Sequence, residues 1–213
     1  MVEKIMDIKT KEEFFKINLE EGKYLDFEDI FGNNYPLCLE IGSGKGEFIA
    51  VQSRFHPETN FIGVELKGKR IITTLKKLDI EKNSNVRLMN LFIDENVTDF
   101  IKPNSLDTVI IYHPDPWPKK KHHKRRLIQH KFLDAINPII KINGYIKIST
   151  DDAEYAQWII DIFKERKDFK SIYPEDFTMI NPEDHFTTYF DELQAQEGFE
   201  TWFMLYKKIA EKN

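Results

Sequence analysis

Residues 37–48 read LCLEIGSGKGEF, an apolar, β-prone run that passes through a glycine turn into a helical segment. In that segment, predicted over 47–55, Phe48, Val51 and Phe55 recur at the spacing of one helix face. The glycines let the backbone turn sharply and bring a ligand close to the N–H groups of the helix terminus. The stretch therefore predicts a strand, a ligand-binding turn and a helix in succession.

Short apolar runs and helical stretches alternate through the rest of the chain. Further strands are predicted over 61–64, 86–89, 107–112 and 144–149, and helices over 67–78, 94–101, 127–142 (broken or kinked near Pro138) and 153–164. Residues 199–207 predict a terminal antiparallel strand that pairs with a strand near 169–172. The alternation favours an α/β fold, with a seven-stranded, mostly parallel sheet and helices on both faces.

The composition is that of a globular protein. Of 213 residues, 41% are hydrophobic and 31% charged, and the formal net charge of -5 excludes a generalised attraction to nucleic acid. Residues 1–35 are expected to form a partly helical extension, and 36–213 a single domain. No apolar run approaches the roughly 20 residues that span a bilayer, and the charged N-terminus is unlike a signal peptide. The lone cysteine, Cys38, lies in an apolar run and is expected to be buried, which fits a reducing cytoplasm.

The glycine turn does not match two common nucleotide-binding motifs. Lys45 lacks both the earlier glycine and the following Ser or Thr of a P-loop. The spacing G-x-G-x-G also differs from the dinucleotide fingerprint, which argues against a nicotinamide oxidoreductase. Glu65 ends the second predicted strand, where a carboxylate can accept hydrogen bonds from both hydroxyls of a ribose.

A second unusual stretch, HPDPWPKKKHHKRR at 113–126, follows the strand predicted over 107–112. Ligands of open α/β sheets bind beyond the carboxyl ends of the strands, so this loop should face the glycine turn. Each proline favours an extended conformation in the residue before it, so the loop should hold Asp115 rigidly. Residues 119–126 carry six formal positive charges, which suit RNA phosphates better than a plain solvated loop. The adjacent histidines lack nearby partners for a metal.

These motifs resemble known families. EIGSGKGEF with Glu65 resembles the cofactor site of S-adenosylmethionine-dependent methyltransferases. PDPWPKKKHHKRR resembles the signature of the bacterial tRNA (guanine-N7-)-methyltransferase family, and the likeness extends from about Leu37 through FIGVE, NSLD and Ser149-Thr150-Asp151 to the C-terminus. The resemblance implies a Rossmann-like class I methyltransferase fold. It also implies transfer of a methyl group from S-adenosylmethionine to N7 of a tRNA guanosine, guanosine-46 of the variable loop.

The resemblance implies roles for particular residues. The residues expected at the cofactor are Glu40, Gly42, Gly44, Glu65, Asn90, Phe92 and Asp115. Asp115 is also the expected catalytic residue. The residues expected to bind the tRNA are Lys119, His122, Lys124, Arg125, Arg126, Asp151, Thr187 and Tyr189. For Asp151 the alternative role is capping of the helix predicted to start at Ala153.

The chain departs from the family pattern at two positions. Phe92 stands where the family has an Asp or Asn that meets the adenine, and Phe190 stands where a Glu is expected, with Asp191 one residue late. These departures are the support for an alternative function, a non-catalytic RNA-binding protein on a degenerate methyltransferase fold. The sequence predicts no metal and no membrane association, and leaves a monomer and a homodimer open.

Overall fold

One seven-stranded sheet with flanking helices forms the described part of the chain, residues 7–92, 99–182 and 195–211, in this computed structural model. The strands are β1 Leu37–Ile41, β2 Asn60–Val64, β3 Val86–Met89, β4 Leu106–Tyr112, β5 Ile140–Thr150, β6 Phe169–Ser171 and β7 Trp202–Lys208. The α-helices are α1 Ile8–Phe15, α2 Phe27–Phe31, α3 Glu47–Phe55, α4 Gly68–Lys77, α5 His130–Ile136 and α6 Ala153–Lys164. Two 3-10 helices cover Lys120–Arg125 and Asn137–Ile139.

The sheet has the strand order β3-β2-β1-β4-β5-β7-β6. Strands β1 to β5 pair in parallel, and β7 pairs antiparallel with both β5 and β6. The α/β prediction and the antiparallel pairing of the last strand are therefore confirmed. However, β7 lies inside the sheet, and the short β6 occupies the edge expected for the final strand.

Apolar residues fill both faces of the sheet, as a parallel sheet covered by helices requires. Every residue of β1 and β2 is buried. Along β1 the side chains alternate, so that Leu37, Leu39 and Ile41 join the core under α5 and α6, and Cys38 joins the core under α3 and α4. Cys38 is buried as predicted, and burial followed by the nearby Glu40 carboxylate raises the pKa of its thiol.

The predicted helix over 127–142 is wrong at both ends. Helix α5 covers only His130–Ile136, a 3-10 turn carries Pro138, and β5 begins at Ile140. Proline has no N–H to continue a helix, so the chain leaves the helical path there and enters the sheet four residues before the strand predicted from 144. Most of the helix predicted over 94–101 lies outside the described residues.

The N-terminal segment closes the β3 edge of the sheet. Phe15 in α1 is fully buried, and the N–H of Ile17 donates to the carbonyl of Leu88 in β3 at 2.9 Å. The Arg87 guanidinium lies 4.5 Å from the ring centre of Phe14 and 5.0 Å from that of Phe31. Residues 7–31 thus cover backbone groups that an open edge would expose. Among the described residues, no helix is long and apolar enough to cross a membrane.

Gly46 offers a test of how tightly α3 packs on α4. Gly46 has φ 71°, and a Cβ there would overlap the Thr74 side chain of α4, whereas Gly22 has φ 74° with open space around it. We expect Gly22→Ala to lower the free energy of unfolding by about 1–2 kcal/mol, the cost of the left-handed backbone alone. Gly46→Ala should lower it by a further ~1–3 kcal/mol through overpacking. Urea unfolding of both variants gives the comparison, and equal losses would contradict tight α3–α4 packing.

Candidate active site

The predicted site residues follow strands whose carboxyl ends meet at one edge of the sheet. Strands β1 and β4 are hydrogen-bonded neighbours, but the chain leaves β1 towards β2 and leaves β4 towards β5, on the opposite side. Such a reversal opens a crevice between the two loops, the usual ligand position in open α/β sheets. The glycine turn after β1 and the loop 113–118 after β4 therefore flank one crevice, with Asp151 after β5 beside them.

The glycine turn is held by hydrogen bonds to its neighbour β2 and is open on its other side. Gly42 and Gly44 have φ 75° and 57°, which favour glycine, and a Cβ on either would meet no protein atom closer than 3.8 Å. The N–H groups of Gly42 and Ser43 both donate to the Val64 carbonyl, at 2.9 and 3.0 Å. These two donors are engaged by the chain itself, so the turn offers a ligand mainly space and a fixed shape.

Glu65 is buried and fixed by backbone donors. Its Oε2 accepts from the N–H of Gly44 at 3.1 Å and its Oε1 accepts from the N–H of Lys67 at 2.8 Å. The guanidinium of Arg70 lies 3.3 Å from Oε2. Because a carboxylate oxygen accepts more than one hydrogen bond, Glu65 retains capacity for hydroxyl donors in the orientation set by the turn.

Glu40, on β1, is buried with an unsatisfied acceptor. Its Oε2 has no hydrogen-bond partner within the described part of the chain. Burial, followed by the negative charge of Glu65, raises the pKa of Glu40 to about 8. A buried acceptor without a donor is uncommon in a folded protein and fits a ligand that brings a donor or a positive charge.

Asn90 and Phe92 lie beyond β3. The Asn90 Nδ2 donates to the carbonyls of Glu65 and Leu66, both at 2.8 Å, and so ties the end of β3 to the start of the β2–α4 connection. Phe92 and Leu66 are exposed, at 58% and 55%. This part of the crevice thus presents apolar side chains, and the Asn90 amide nitrogen already has its acceptors.

The loop that carries Asp115 has an unexpected backbone. His113 and Trp117 precede prolines, which predicts extended conformations, but both have positive φ, 46° and 45°. Left-handed backbone in residues other than glycine costs about 1–3 kcal/mol each, so the surroundings must hold it. The N–H of His113 donates to the Ser149 carbonyl at 2.9 Å, and the Trp117 ring packs against His122 and under the Arg125 guanidinium, at centroid distances of 5.7 and 4.9 Å. Asp115 is exposed between these two anchors.

Asp151 lies beside the same loop. Its Oδ1 is 3.6 Å from Nδ1 of His113. The adjacent residue, Asp152, caps α6, because its side chain accepts from the N–H of Tyr155 at 2.7 Å. The capping role considered for Asp151 therefore belongs to Asp152.

The basic run is divided between solvent and the protein interior. Lys119, Lys124 and Arg125 are exposed, and His122 is half-buried against Trp117. Arg126, by contrast, is only 1% exposed, which disagrees with the expectation that it contacts RNA phosphates. Thr187 and Tyr189, and the departures at Phe190 and Asp191, lie outside the described residues.

Arg126 contacts residues that the sequence did not single out. They are Glu154, Tyr155 and Trp158, in the first turns of α6. The i, i+4 spacing of Glu154 and Trp158 indicated only that both lie on one face of a helix. Nothing in that spacing pointed to the loop after β4.

Solved structures share the fold. A structure titled "Structure of an Antibiotic Related Methyltransferase" aligns with a TM-score of 0.58 at 16% identity, covering 91% of this chain and 100% of that chain. The antibiotic-resistance methyltransferase Kmr aligns with a TM-score of 0.57 at 13% identity, covering 86% of this chain and 92% of that chain. At these identities the likeness concerns the fold alone, and it confirms the class I methyltransferase fold.

Curated relatives are similar in sequence over most of the chain. The tRNA (guanine-N(7)-)-methyltransferase of Psychromonas ingrahamii is 33% identical over 190 residues, 89% of this chain and 78% of that protein. The protein of the same name from Neisseria meningitidis serogroup B is 34% identical over 185 residues, 87% of this chain and 77% of that protein. Residues 34–202 also match the family described as "Putative methyltransferase". The chain belongs to the tRNA (guanine-N(7)-)-methyltransferase family.

Proposed function

We propose that this protein transfers a methyl group from S-adenosylmethionine to N7 of a guanosine in tRNA, guanosine-46 of the variable loop, with Asp115 at the reacting base. The observation that carries the proposal is the position of Asp115. Its loop and the glycine turn follow the neighbouring strands β4 and β1, and an exposed basic helix follows the loop directly. A tRNA substrate implies a cytoplasmic protein.

The chemistry at N7 needs no strong base, because the lone pair lies in the plane of the ring and no proton is lost. S-adenosylmethionine, when bound, supplies a methyl group on a positively charged sulfur. The protein has to align N7 with that methyl group, hold the polar edge of the guanine and offset the positive charge that develops on the ring. A carboxylate held on a stiff loop suits the last two tasks, since it accepts guanine N–H groups and is negatively charged.

The glycine turn and the residues around it fit the cofactor. Gly42 and Gly44 leave space for its methionine part, and Glu65 is oriented to accept from ribose hydroxyls. The unsatisfied Oε2 of Glu40 fits a positively charged partner. Phe92 and Leu66 would contact the adenine through apolar surface.

The exposed part of the basic run would bind the tRNA backbone. Lys119, Lys124 and Arg125 would contact phosphates, and His122 and Arg125 also hold Trp117. Phosphate contacts of this kind position a nucleic acid without reading its sequence. Asp151, beside His113, would contact the substrate guanosine, as would Thr187 and Tyr189 by family resemblance.

A ribonucleoside digest tests the reaction and the substrate together. After incubation of unmodified tRNA with the protein and S-adenosylmethionine, we expect 7-methylguanosine, and mapping should place it at position 46. Binding of S-adenosylmethionine without any product would instead support the non-catalytic RNA-binding alternative.

Replacing Asp115 tests the role of its charge. Asp115→Asn keeps the size and one acceptor but removes the negative charge, so we expect kcat to fall by about 100-fold or more, as when other groups that stabilise a transition state are removed. The affinity for S-adenosylmethionine should change much less. The matched control is Asp161→Asn, an exposed carboxylate on α6 that pairs only with Gln157 among the described residues. Equal activity of Asp115→Asn and the control would contradict the mechanism.

The salt dependence of tRNA binding tests the basic run. Removing one phosphate-binding side chain should reduce the slope of log K against log salt by about 0.7–0.9. We therefore expect the double variant Lys119→Ala/Lys124→Ala to bind tRNA more weakly and with a slope smaller by about 1.5. Lys76→Ala/Lys82→Ala removes two exposed lysines in α4 and in the connection from α4 to the edge strand β3, away from the basic run, and should leave the slope unchanged. Filter-binding titrations over a range of salt give both values, and identical slopes would place the RNA elsewhere.

The raised pKa of Glu40 predicts a pH-dependent cofactor affinity. Below pH about 8 the Glu40 carboxyl of the free protein is mostly protonated. A positively charged cofactor favours the ionised form, so binding should release a proton and strengthen with rising pH, by at most about tenfold per pH unit, up to that pKa. Calorimetry between pH 6 and 9, in buffers of different ionisation enthalpy, measures affinity and proton release. In Glu40→Gln both effects should disappear, and a wild-type pH dependence in that variant would contradict the role of Glu40.

A further inference from the structure

Arg126 forms an inward-facing junction between the loop that carries Asp115 and the first turn of α6. Its Nε donates to the carbonyl of Pro116 at 2.8 Å, and its Nη2 donates to Oε1 of Glu154 at 3.0 Å. The side chain is 1% exposed, whereas that of Glu154 is 63% exposed. Two nitrogens of one guanidinium thus connect the loop after β4 with the start of α6, and both segments lie at the end of the sheet where the candidate site is.

The aromatic residues of α6 support this junction. The guanidinium carbon of Arg126 lies 5.1 Å from the ring centre of Tyr155 and 4.9 Å from that of Trp158. The Tyr155 hydroxyl accepts from the N–H of Ile128 at 3.1 Å, and the Trp158 indole donates to the Ile128 carbonyl at 2.9 Å. Helix α6 therefore fixes the backbone just after Arg126 as well as its guanidinium.

The loop is consequently tied to the β5–α6 region at both of its ends. At the start of the loop, His113 contacts the Ser149 carbonyl and the Asp151 carboxylate. Towards its end, the Pro116 carbonyl is bound by Arg126. Asp115 lies between these two ties, and Asp151 is two residues before the start of α6.

We propose that Arg126 is a positioning residue that sets Asp115 relative to Asp151 through Pro116 and α6, and that it makes no phosphate contact. This inference rests on the proposed function, since Asp115 and Asp151 are the residues assigned to the guanosine. Arginine suits the task because its planar group donates in two directions while its face packs on aromatic rings. Lysine has one charged nitrogen and no planar face.

The polar groups around Arg126 favour a geometric role over a stabilising one. Its Nη1 is buried without a hydrogen-bond partner among the described residues. A well-packed apolar side chain would avoid that desolvation cost, so stability alone does not account for a charge here. His123 lies near the same carboxylate, with its Nε2 3.4 Å from Oε1 of Glu154 and no hydrogen bond between them. The 3-10 helix and α6 therefore converge on one carboxylate.

Arg126→Lys tests the proposal, with Arg166→Lys as the matched control. Arg166 is a second arginine with a largely covered side chain, 6% exposed, bound to Asp134 and Asp168 and packed near Phe169 at 5.8 Å, away from the loop 113–118. We expect Arg126→Lys to lower kcat by about 10–100-fold, because small displacements of reacting groups have effects of that size. Its affinity for S-adenosylmethionine should match the wild type, and Arg126→Gln, which removes the charge, should keep the wild-type salt slope of tRNA binding. Arg166→Lys should lower the midpoint of thermal unfolding but leave kcat intact.

A spectroscopic measurement reports on the loop without any reaction. The chain has three tryptophans, so 5-fluorotryptophan labelling gives three resonances, and Trp117→Phe assigns the one from the loop. In Arg126→Lys the Trp117 resonance should shift or broaden, and in Arg166→Lys it should not.

The outcomes separate this inference from the proposed function. A salt slope reduced by about one in Arg126→Gln, which removes the charge, would make Arg126 a phosphate contact and overturn the proposal. So would an equal loss of kcat in Arg166→Lys, because general destabilisation would then explain both. If the wild type transfers no methyl group to tRNA, the proposed function fails. The Trp117 resonance still decides the positioning role in that case, and an unchanged resonance in Arg126→Lys refutes it.

Discussion

The pairing of β1 with β4 is the constraint on which the site depends. Three hydrogen-bonded register pairs hold the two strands side by side, and the chain leaves them in opposite directions. The turn after β1 and the loop after β4 therefore diverge from the same end of the sheet. The strand pairing sets the position of both, whatever contacts the two loops make with each other. The glycine turn and the Asp115 carboxylate are thus carried on separate loops and still flank one crevice.

The two loops hold their shapes in different ways. The glycine turn uses residues for which left-handed backbone is inexpensive, and β2 anchors it. The loop after β4 uses His113 and Trp117 in similar left-handed conformations, where side-chain contacts have to offset the cost. The first loop is therefore held by main-chain hydrogen bonds to β2, whereas the second depends on Arg126, Arg125 and the residues that contact them. Part of the positive run, Arg126 above all, is structural for this reason, whereas Lys119, Lys124 and Arg125 are exposed to solvent.

Local spacing was sufficient to predict the sheet and the glycine turn. The apolar runs of β1 and β3 and the helical periodicity of α3 and α6 gave the observed bounds, because burial on both faces leaves a simple pattern. Propensity failed at Ile140–Ile142, where pairing with β4 outweighs the helical tendency and Pro138 ends the helix. The inward turn of Arg126 depends on Glu154, 28 residues away, and on the aromatic rings beside it. The number of basic residues in the run does not show which of their side chains is buried against another helix.

The insertion of β7 between β5 and β6 has a consequence for how the sheet is assembled. Among the described strands β6 pairs only with β7, and thirty residues separate the end of β6 at Ser171 from the start of β7 at Trp202. During synthesis the five parallel strands can pair as they emerge, but β6 has no partner until β7 has been made. Until then the edge of β5, the strand that leads to Asp151, stays open. The edge of the sheet that carries the candidate site is thus completed late, and a nascent chain that has already formed its glycine turn still lacks β7 beside β5.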